Sequence, residues 1–529
     1  MTPDQDRRRT VAQLLAAAAA FGGAAGTLAA GARAPEPVVS TSAGAILLQG
    51  DGIDPTGAAD SRAAVQAVLD AAPVGATIVN PSGSVLRLGG GLTVRAAHTR
   101  LTGSGEWRFV AGGDYGVDPE GQNGFVDVRA DHCWVDGIRA TNPDGVLNRG
   151  LCFLADFGRV TGSTLEGFGQ GITISPAGEF HDFVVSGNHV LDVLGRGGGP
   201  SDTSRAGEDY GDGIVCWGAS ATVTGNVVTA QRGRDARIGI HAEGLDDQRR
   251  TEWTHDHRMV VIAGNVIHGP FRRGIVSEEV HHIAITGNAV ADATWWSIAL
   301  IGADSGTVVG NTLRYTRTAA DTQGSAWGPV HAAITLYGID AARPVRDAVV
   351  ADNTIDVPRG ATADAGVAVL GNVGDAVAAR GCRIAGNRIR AEGELQHGVF
   401  ARQPSEDLEV ASNRVEGATT TGVRLQSPSG AQVRQNTVVG AGGGLGVDVE
   451  GGTGLLCDAN TVRAVGTAVH AAGCAAGTLI RDNVLRAGGI GVDAAGTTGA
   501  VVCDRNLVTA PTPYTGLPPS TTGDAAPAG

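Results

Sequence analysis

The acids and bases that suggest chemistry fall in one stretch of the chain: Asp212, His241, Glu243, Glu278 and Glu279. Two carboxylates held about 5 Å apart at an effective dielectric of ~20 repel by about 3 kcal/mol, enough to raise one pKa by up to about 2. One then serves as acid and the other as base. Five of the seven tryptophans, Trp217, Trp253, Trp295, Trp296 and Trp327, lie in the same stretch and are expected to stack against sugar rings. Arg237 and Arg273 offer cations for anionic groups, with Arg205 and Asp209 in an adjoining insertion. A lyase or epimerase would instead use His241 or Tyr210 as base. Calcium would find oxygen ligands in Asp209, Asp212, Glu243 and Glu278, but their spacing is no recognised ligand motif, and no metal site or cofactor is assigned. His255 and His257 read as surface histidines of a loop rather than ligands.

These residues are far apart in sequence, so a repeat must bring them together. A short unit recurs, Gly-Ile/Val-x-apolar, then a turn, then apolar-x-x-Asn-x-apolar. Its asparagines are Asn188, Asn226, Asn265, Asn288, Asn311, Asn353, Asn387, Asn413, Asn436, Asn460, Asn483 and Asn506, and the shortest gaps between them are 23 residues. Larger gaps mean one coil plus an inserted loop. Three residues before each asparagine stands an aliphatic or cysteine, from Val185 and Val223 to Ile480 and Cys503. Two after it stands another, from Val190 and Val228 to Leu485 and Val508. Columns apolar through so many coils face one interior, and their β-branched content and alternation make them parallel strands. Each asparagine is expected at a turn, in a left-handed backbone, bonding to the coils above and below.

A second register starts at glycines such as Gly171, Gly213, Gly239 and Gly274. Three residues later stand Ile174, Cys216, Ala242 and Ser277, which face inward, so alternation predicts that positions two and four after the glycine face solvent. That places Trp217, Glu243 and Glu278 on consecutive coils, with His241 beside Glu243. Long insertions at 192–210, 245–258 and 314–330 would wall a groove over the coils from Gly213 to Ile301. Asp448, Glu450 and Asp493, in regular coils nearer the C-terminus, are expected to form an ordinary solvated ladder.

Composition closes off other classes. Glycine supplies 82 of 529 residues, aromatics 4% and charged residues 18%, which favours turns and small core residues over a helical bundle. The net charge of -14, with no local basic stripe, disfavours nucleic acid. All 40 basic residues are arginine, so a lysine base is excluded. Cys133, Cys152, Cys216, Cys382, Cys457, Cys474 and Cys503 follow no metal or disulfide spacing and read as buried core. Residues 1–34 have the order of a secretory signal: Arg7-Arg8-Arg9, an Ala/Gly-rich apolar run from Val11 to Ala30, then small residues. They resemble a twin-arginine signal, which implies export in the folded state and no stable membrane insertion.

The stretch from Asp51 to Gly105 holds an aspartate-glycine turn, an amphipathic helix on Ala64, Val65, Val68 and Leu69 after an Asp60 or Ser61 cap, and the strand PSGSVLRL. It resembles the N-terminal module of the pectate-lyase-like superfamily. The resemblance implies an all-β right-handed parallel β-helix with an N-terminal capping helix, monomeric or homotrimeric. The domain is expected over 51–510 after a linker at 35–50, with 511–529 disordered. One acid on a coil and two adjacent acids on the next, Glu243 then Glu278-Glu279, is similar to the acid set of the polygalacturonases. That family's NTD, GHG and RIK motifs are absent here, and glutamate replaces aspartate. The expected activity is cleavage of a polysaccharide with Glu243 and Glu278 as acid and base. The alternatives are β-elimination or C5 epimerisation of a uronan, and non-catalytic glycan binding or adhesion.

Overall fold

A computed structural model describes residues 44–523 except 115–123, 175–179, 196–210, 219, 231–235, 245–258, 320–329, 373, 375, 441–443, 465, 476 and 519–520. Residues 1–34, read as an export signal, lie outside the described residues, as do 35–43 of the expected linker; the rest of that linker is not mere linker, since Ala45–Leu47 pairs as a parallel strand with Thr77–Val79. The chain divides into two compact units, Met1–Phe271 and Arg272–Gly529, and each is built as a right-handed parallel β-helix.

In the first unit three columns of apolar side chains run through parallel strands in register. One passes through Ile78, Leu101, Val135, Val160, Val185, Val223 and Ile262. A second passes through Leu165, Val190, Val228 and Ile267, and a third through Val126, Leu151, Ile172, Ile214 and Ile240. All of these are buried. Parallel strands in register put identical positions one rung apart, about 4.8 Å, so each aliphatic packs on its counterpart in the next coil. The helix Arg62–Ala71 buries Val65 and Leu69, and Gln66 ties it to the backbone of Thr93 through two hydrogen bonds of 2.8 and 3.0 Å.

The second unit repeats the three columns. Ile285, Val308, Val350, Ile384, Val410, Val433, Cys457, Ile480 and Cys503 form one. Its glycine-strand column includes Ile275, Ile298, Ile334, Val367, Val399, Val423, Val447, Val469 and Val492. All seven cysteines are buried and none is in a disulfide, as expected of small core residues. Among the described residues no helix is long and apolar enough to cross a membrane.

The asparagines form ladders within each unit. Asn188 Nδ2 donates to Asn226 Oδ1 at 3.0 Å and Asn226 Nδ2 to Asn265 Oδ1 at 2.9 Å. In the second unit the ladder runs from Asn288 to Asn506. Ser163 fills the asparagine slot one coil earlier, its backbone N–H donating to Asn188 Oδ1. The left-handed backbone expected at the asparagines falls one residue before them, at Gly187 (φ 65°), Gly225 (64°), Asp352 (55°) and Gln435 (57°). The preceding residue makes the turn, and the asparagine is left free to point inward and bond along the stack.

Of the tail expected to be disordered, the described part forms two short strands. Thr512–Thr515 pairs with Ile490–Asp493, and Thr522–Gly523 with Val502–Cys503. The last coil leaves unpaired backbone groups at its edge, and the β-branched threonines of the tail satisfy them.

Candidate active site

Strands Gln170–Ile174, Asp212–Trp217 and Ile238–Glu243 stand side by side in the first unit. A glycine occupies the second residue of each. A Cβ on Gly213 would point inward, 2.3 Å from Val228 Cγ1, although the next residue, Ile214, is also in the buried column. Simple alternation therefore breaks at the glycine, so the residue before it and the second residue after it share one face. Gln170 and Thr173 show this directly, with Thr173 Oγ1 donating to Gln170 Oε1 at 3.0 Å. Asp212 and His241 therefore meet although their positions relative to the glycine differ.

Asp212 is fully buried. Arg237 Nε donates to its Oδ1 at 2.8 Å and Arg237 Nη2 to its Oδ2 at 2.5 Å, a bidentate pair. His241 Nδ1 lies 3.2 Å from Asp212 Oδ2 and 3.3 Å from Arg237 Nη2. We assign the Nδ1 proton to the bond with the carboxylate, because the guanidinium is already directed at the same oxygen and has no lone pair to receive it. The other ring nitrogen, Nε2, then faces Glu243 Oε2 at 3.7 Å. Burial alone would raise the Asp212 carboxyl, but Arg237 outweighs it and holds the group well below the usual carboxylate range. The result is a permanent buried anion that orients His241, with the partly exposed Glu243 at the open end. Such a chain can pass or share a proton between Glu243 and the imidazole.

Sequence reasoning named Arg237 as a ligand for anionic groups, and the structure commits it to Asp212. Among the described residues Arg149, buried at 2% exposure, has no hydrogen-bond partner for Nε or Nη1. It precedes Gly150 just as Asp212 precedes Gly213, a position whose meaning the alternation rule concealed. Arg149 reaches across the strand that carries Thr173 and lies over the Trp217 ring, 4.9 Å from its centroid. Positions two after the glycine, expected in solvent, are buried here at Thr173, Val215 and His241. Long side chains such as Arg149 and Trp217 extend over a face that the alternation rule left open.

In the second unit Glu278 closes the strand Arg273–Glu278 and is half-buried. Val276, Ala299 and Thr335 on this strand and the next two are again buried rather than solvated. Glu279 turns away in a left-handed backbone (φ 54°) and accepts from Arg343 Nη1 at 2.6 Å, so it is a structural ion pair rather than half of a double acid. Arg273 lies over Trp295, 5.6 Å from the ring. Trp295 and Trp296 stack on each other at 3.8 Å, and both indole N–H groups donate to the Val330 carbonyl. Trp217, Trp295 and Trp296 are all buried, so these rings serve packing and not the sugar stacking expected of them. Trp253, Arg205 and Asp209 lie outside the described residues, as do Tyr210, His255, His257 and Trp327. Among the described residues no group of three His, Cys, Asp or Glu is placed to hold a metal ion.

No protein-family model matches the chain, and no curated protein matches it either. Solved structures do. A double mutant of the tailspike protein of E. coli bacteriophage HK620 in complex with pentasaccharide superposes with a TM-score of 0.54 at 14% identity, over 77% of this chain and 75% of that one. A second double mutant of the same tailspike gives 0.55 at 13%, over 89% and 78%. DFA-IIIase from Arthrobacter chlorophenolicus, without its lid and in complex with GF2, gives 0.44 at 14%, over 68% and 89%. At such identities the tailspike likeness speaks for the backbone path alone, and it agrees with the in-register columns and asparagine ladders: the chain has a right-handed parallel β-helix fold.

Proposed function

We propose that the chain is a secreted carbohydrate-active enzyme that cleaves a polysaccharide on the face carrying Asp212, His241 and Glu243. The observation that supports this reading is the line of contacts from Arg237 and Asp212 through His241 to Glu243. A buried anion orients an imidazole, and the imidazole supports a carboxyl group that remains open to a substrate. Glu243 acts as the acid or base, and His241 is the positioning and proton-sharing residue behind it. The run Arg7-Arg8-Arg9 followed by the apolar stretch to Ala30 supports the reading of an exported enzyme.

One observation favours a second chemistry on the same face. Among the described residues Arg149 is a buried cation with no anion paired to it, and a uronate carboxylate would supply one. With a carboxylate neutralised there, His241 becomes the base for β-elimination or epimerisation.

The test is Glu243→Gln assayed on a panel of neutral and uronic polysaccharides. The expected loss of turnover is on the order of 10²–10⁴-fold. New reducing ends alone mean hydrolysis, whereas unsaturated ends absorbing in the ultraviolet mean elimination and transfer the base role to His241. Undiminished turnover in Glu243→Gln removes Glu243 from the mechanism. Binding without either product identifies a glycan-binding solenoid. Glu278 is tested by its own Gln replacement in the same assay.

A further inference from the structure

The second unit carries a polar face of its own. Phe400, Arg424, Asp448, His470 and Asp493 are successive register partners, one per coil, two residues after the glycine or its equivalent. Gln426 and Glu450 flank them as partners two residues further on. Arg424 Nη2 donates to both oxygens of Glu450 at 3.0 Å, and its Nε lies 3.4 Å from Asp448 Oδ2. Gln426 Nε2 also donates to Glu450, at 3.0 Å, and His470 Nδ1 meets Asp448 Oδ1 at 2.7 Å. Unlike the face around Asp212, this one is open: the Glu450 side chain is 41% exposed, Arg424 25% and His470 23%.

A separate observation points to a ligand. His397 and Thr421 are register partners, each immediately before its glycine, and so face the same side as Phe400 and Arg424. They are 5% and 1% exposed, yet among the described residues His397 Nδ1 and Thr421 Oγ1 have no hydrogen-bond partner. The His397 ring sits 4.5 Å from Phe400, and the Arg424 guanidinium 5.9 Å from the same ring. Burial, with Arg424 adding to it, pushes the His397 imidazole down to about 4, so at neutral pH it is uncharged and offers both a donor and an acceptor. Buried polar atoms without partners are rare because leaving them unmade costs stability.

Charge and geometry narrow the ligand. One arginine stands among Asp448, Glu450 and Asp493, which is the wrong balance for a phosphate or a uronate. Among the described residues no three carboxylate or imidazole groups are placed for a metal. What remains is a neutral molecule rich in hydroxyls. Neighbouring sugar hydroxyls donate to a carboxylate and accept from guanidinium, amide and imidazole N–H groups, while the half-buried Phe400 ring takes the apolar C–H face. We infer that this face of the second unit is a carbohydrate-binding site for neutral sugar residues, held by Arg424, Glu450, Asp448 and His470 beside Phe400. It is a separate site from the one around Glu243 and does not depend on the reading given to that site.

Calorimetry on the full chain tests it with neutral gluco-, manno-, galacto-, xylo- and fructo-oligosaccharides and with oligogalacturonate. At least one neutral oligosaccharide is expected to bind the unsubstituted protein and Glu243→Gln equally, and at least tenfold more weakly to Glu450→Ala and to Arg424→Met. Glu450 is exposed enough that its replacement leaves the fold intact, which an unchanged melting curve verifies. The inference is overturned if no neutral oligosaccharide binds, if only the uronic one does, or if Glu450→Ala and Arg424→Met bind as well as the unsubstituted protein.

Discussion

Asp212 in the first unit and Asp448 in the second are both buried carboxylates that meet a histidine Nδ1, yet their surroundings drive them in opposite directions. Burial raises both. At Asp212 two donors of Arg237, Nε and Nη2, meet one carboxylate, and the group ends far below its ordinary value. At Asp448 the burial is not overcome, because Arg424 gives its terminal nitrogen to Glu450 and only a long Nε contact to Asp448. Glu450, the recipient, is lowered, first by Gln426 and then by Arg424. The lesson is that a nearby arginine does not by itself fix the charge of a buried acid. What matters is how many of its donors that acid receives.

The strongest test of this contrast removes each arginine. Arg237→Met strands a buried anion and is expected to cost about 3–5 kcal/mol. Arg424→Met loses a half-exposed pair and is expected to cost about 0–1 kcal/mol. Urea unfolding of the two variants measures both, and equal losses would refute the comparison.

Acidity should then separate the two aspartates with opposite sign. The Asp212 pKa is depressed in the folded state, so its stabilisation is present above its ordinary value of 3.8 and is lost only as pH falls through the lower folded value. The cost of Asp212→Asn is therefore largest near neutrality and shrinks only under strong acid. The Asp448 pKa is raised, so its stabilisation is full below 3.8 and is lost as pH rises through the folded value. Asp448→Asn should gain stability relative to the unsubstituted chain as pH rises from 3 to 7. Melting temperatures across that range distinguish these slopes, and parallel slopes would contradict the assignment.

The smallest expected effect is a redistribution. Glu450→Gln frees Arg424 for Asp448 and removes a neighbouring negative charge, so the Asp448 pKa should fall. Carboxyl-carbon NMR titration would register it, and an unmoved or higher value would show that Arg424 is not shared as described.

Much of this was legible in the residues. The columns through Val185, Val223 and Ile262 and through Val433, Cys457 and Ile480 are in register as their spacing from the asparagines predicts. The candidate site was legible in part. His241, Glu243 and Asp212 do converge, but Arg237 serves Asp212, Glu279 serves Arg343, and Trp217, Trp295 and Trp296 are packed away. Arg149 was missed, and Asp448, expected in a solvated ladder, is buried. Yet strands such as DGIVCW and WSIALI, continuous apolar runs unlike GVDVE or TAVHAA, already carried the mark of burial on both faces.

A periodic sequence dictates a periodic backbone, because every coil buries the same aliphatic positions and bonds the same asparagines. Residue order therefore fixes the strands, their direction and their register. It does not fix which side chains meet on the outer face, since that depends on the break in alternation at each glycine and on the reach of long residues across neighbouring strands. Asp212 next to His241, and Arg149 over Trp217, follow from those two features, which act in space between residues far apart along the chain.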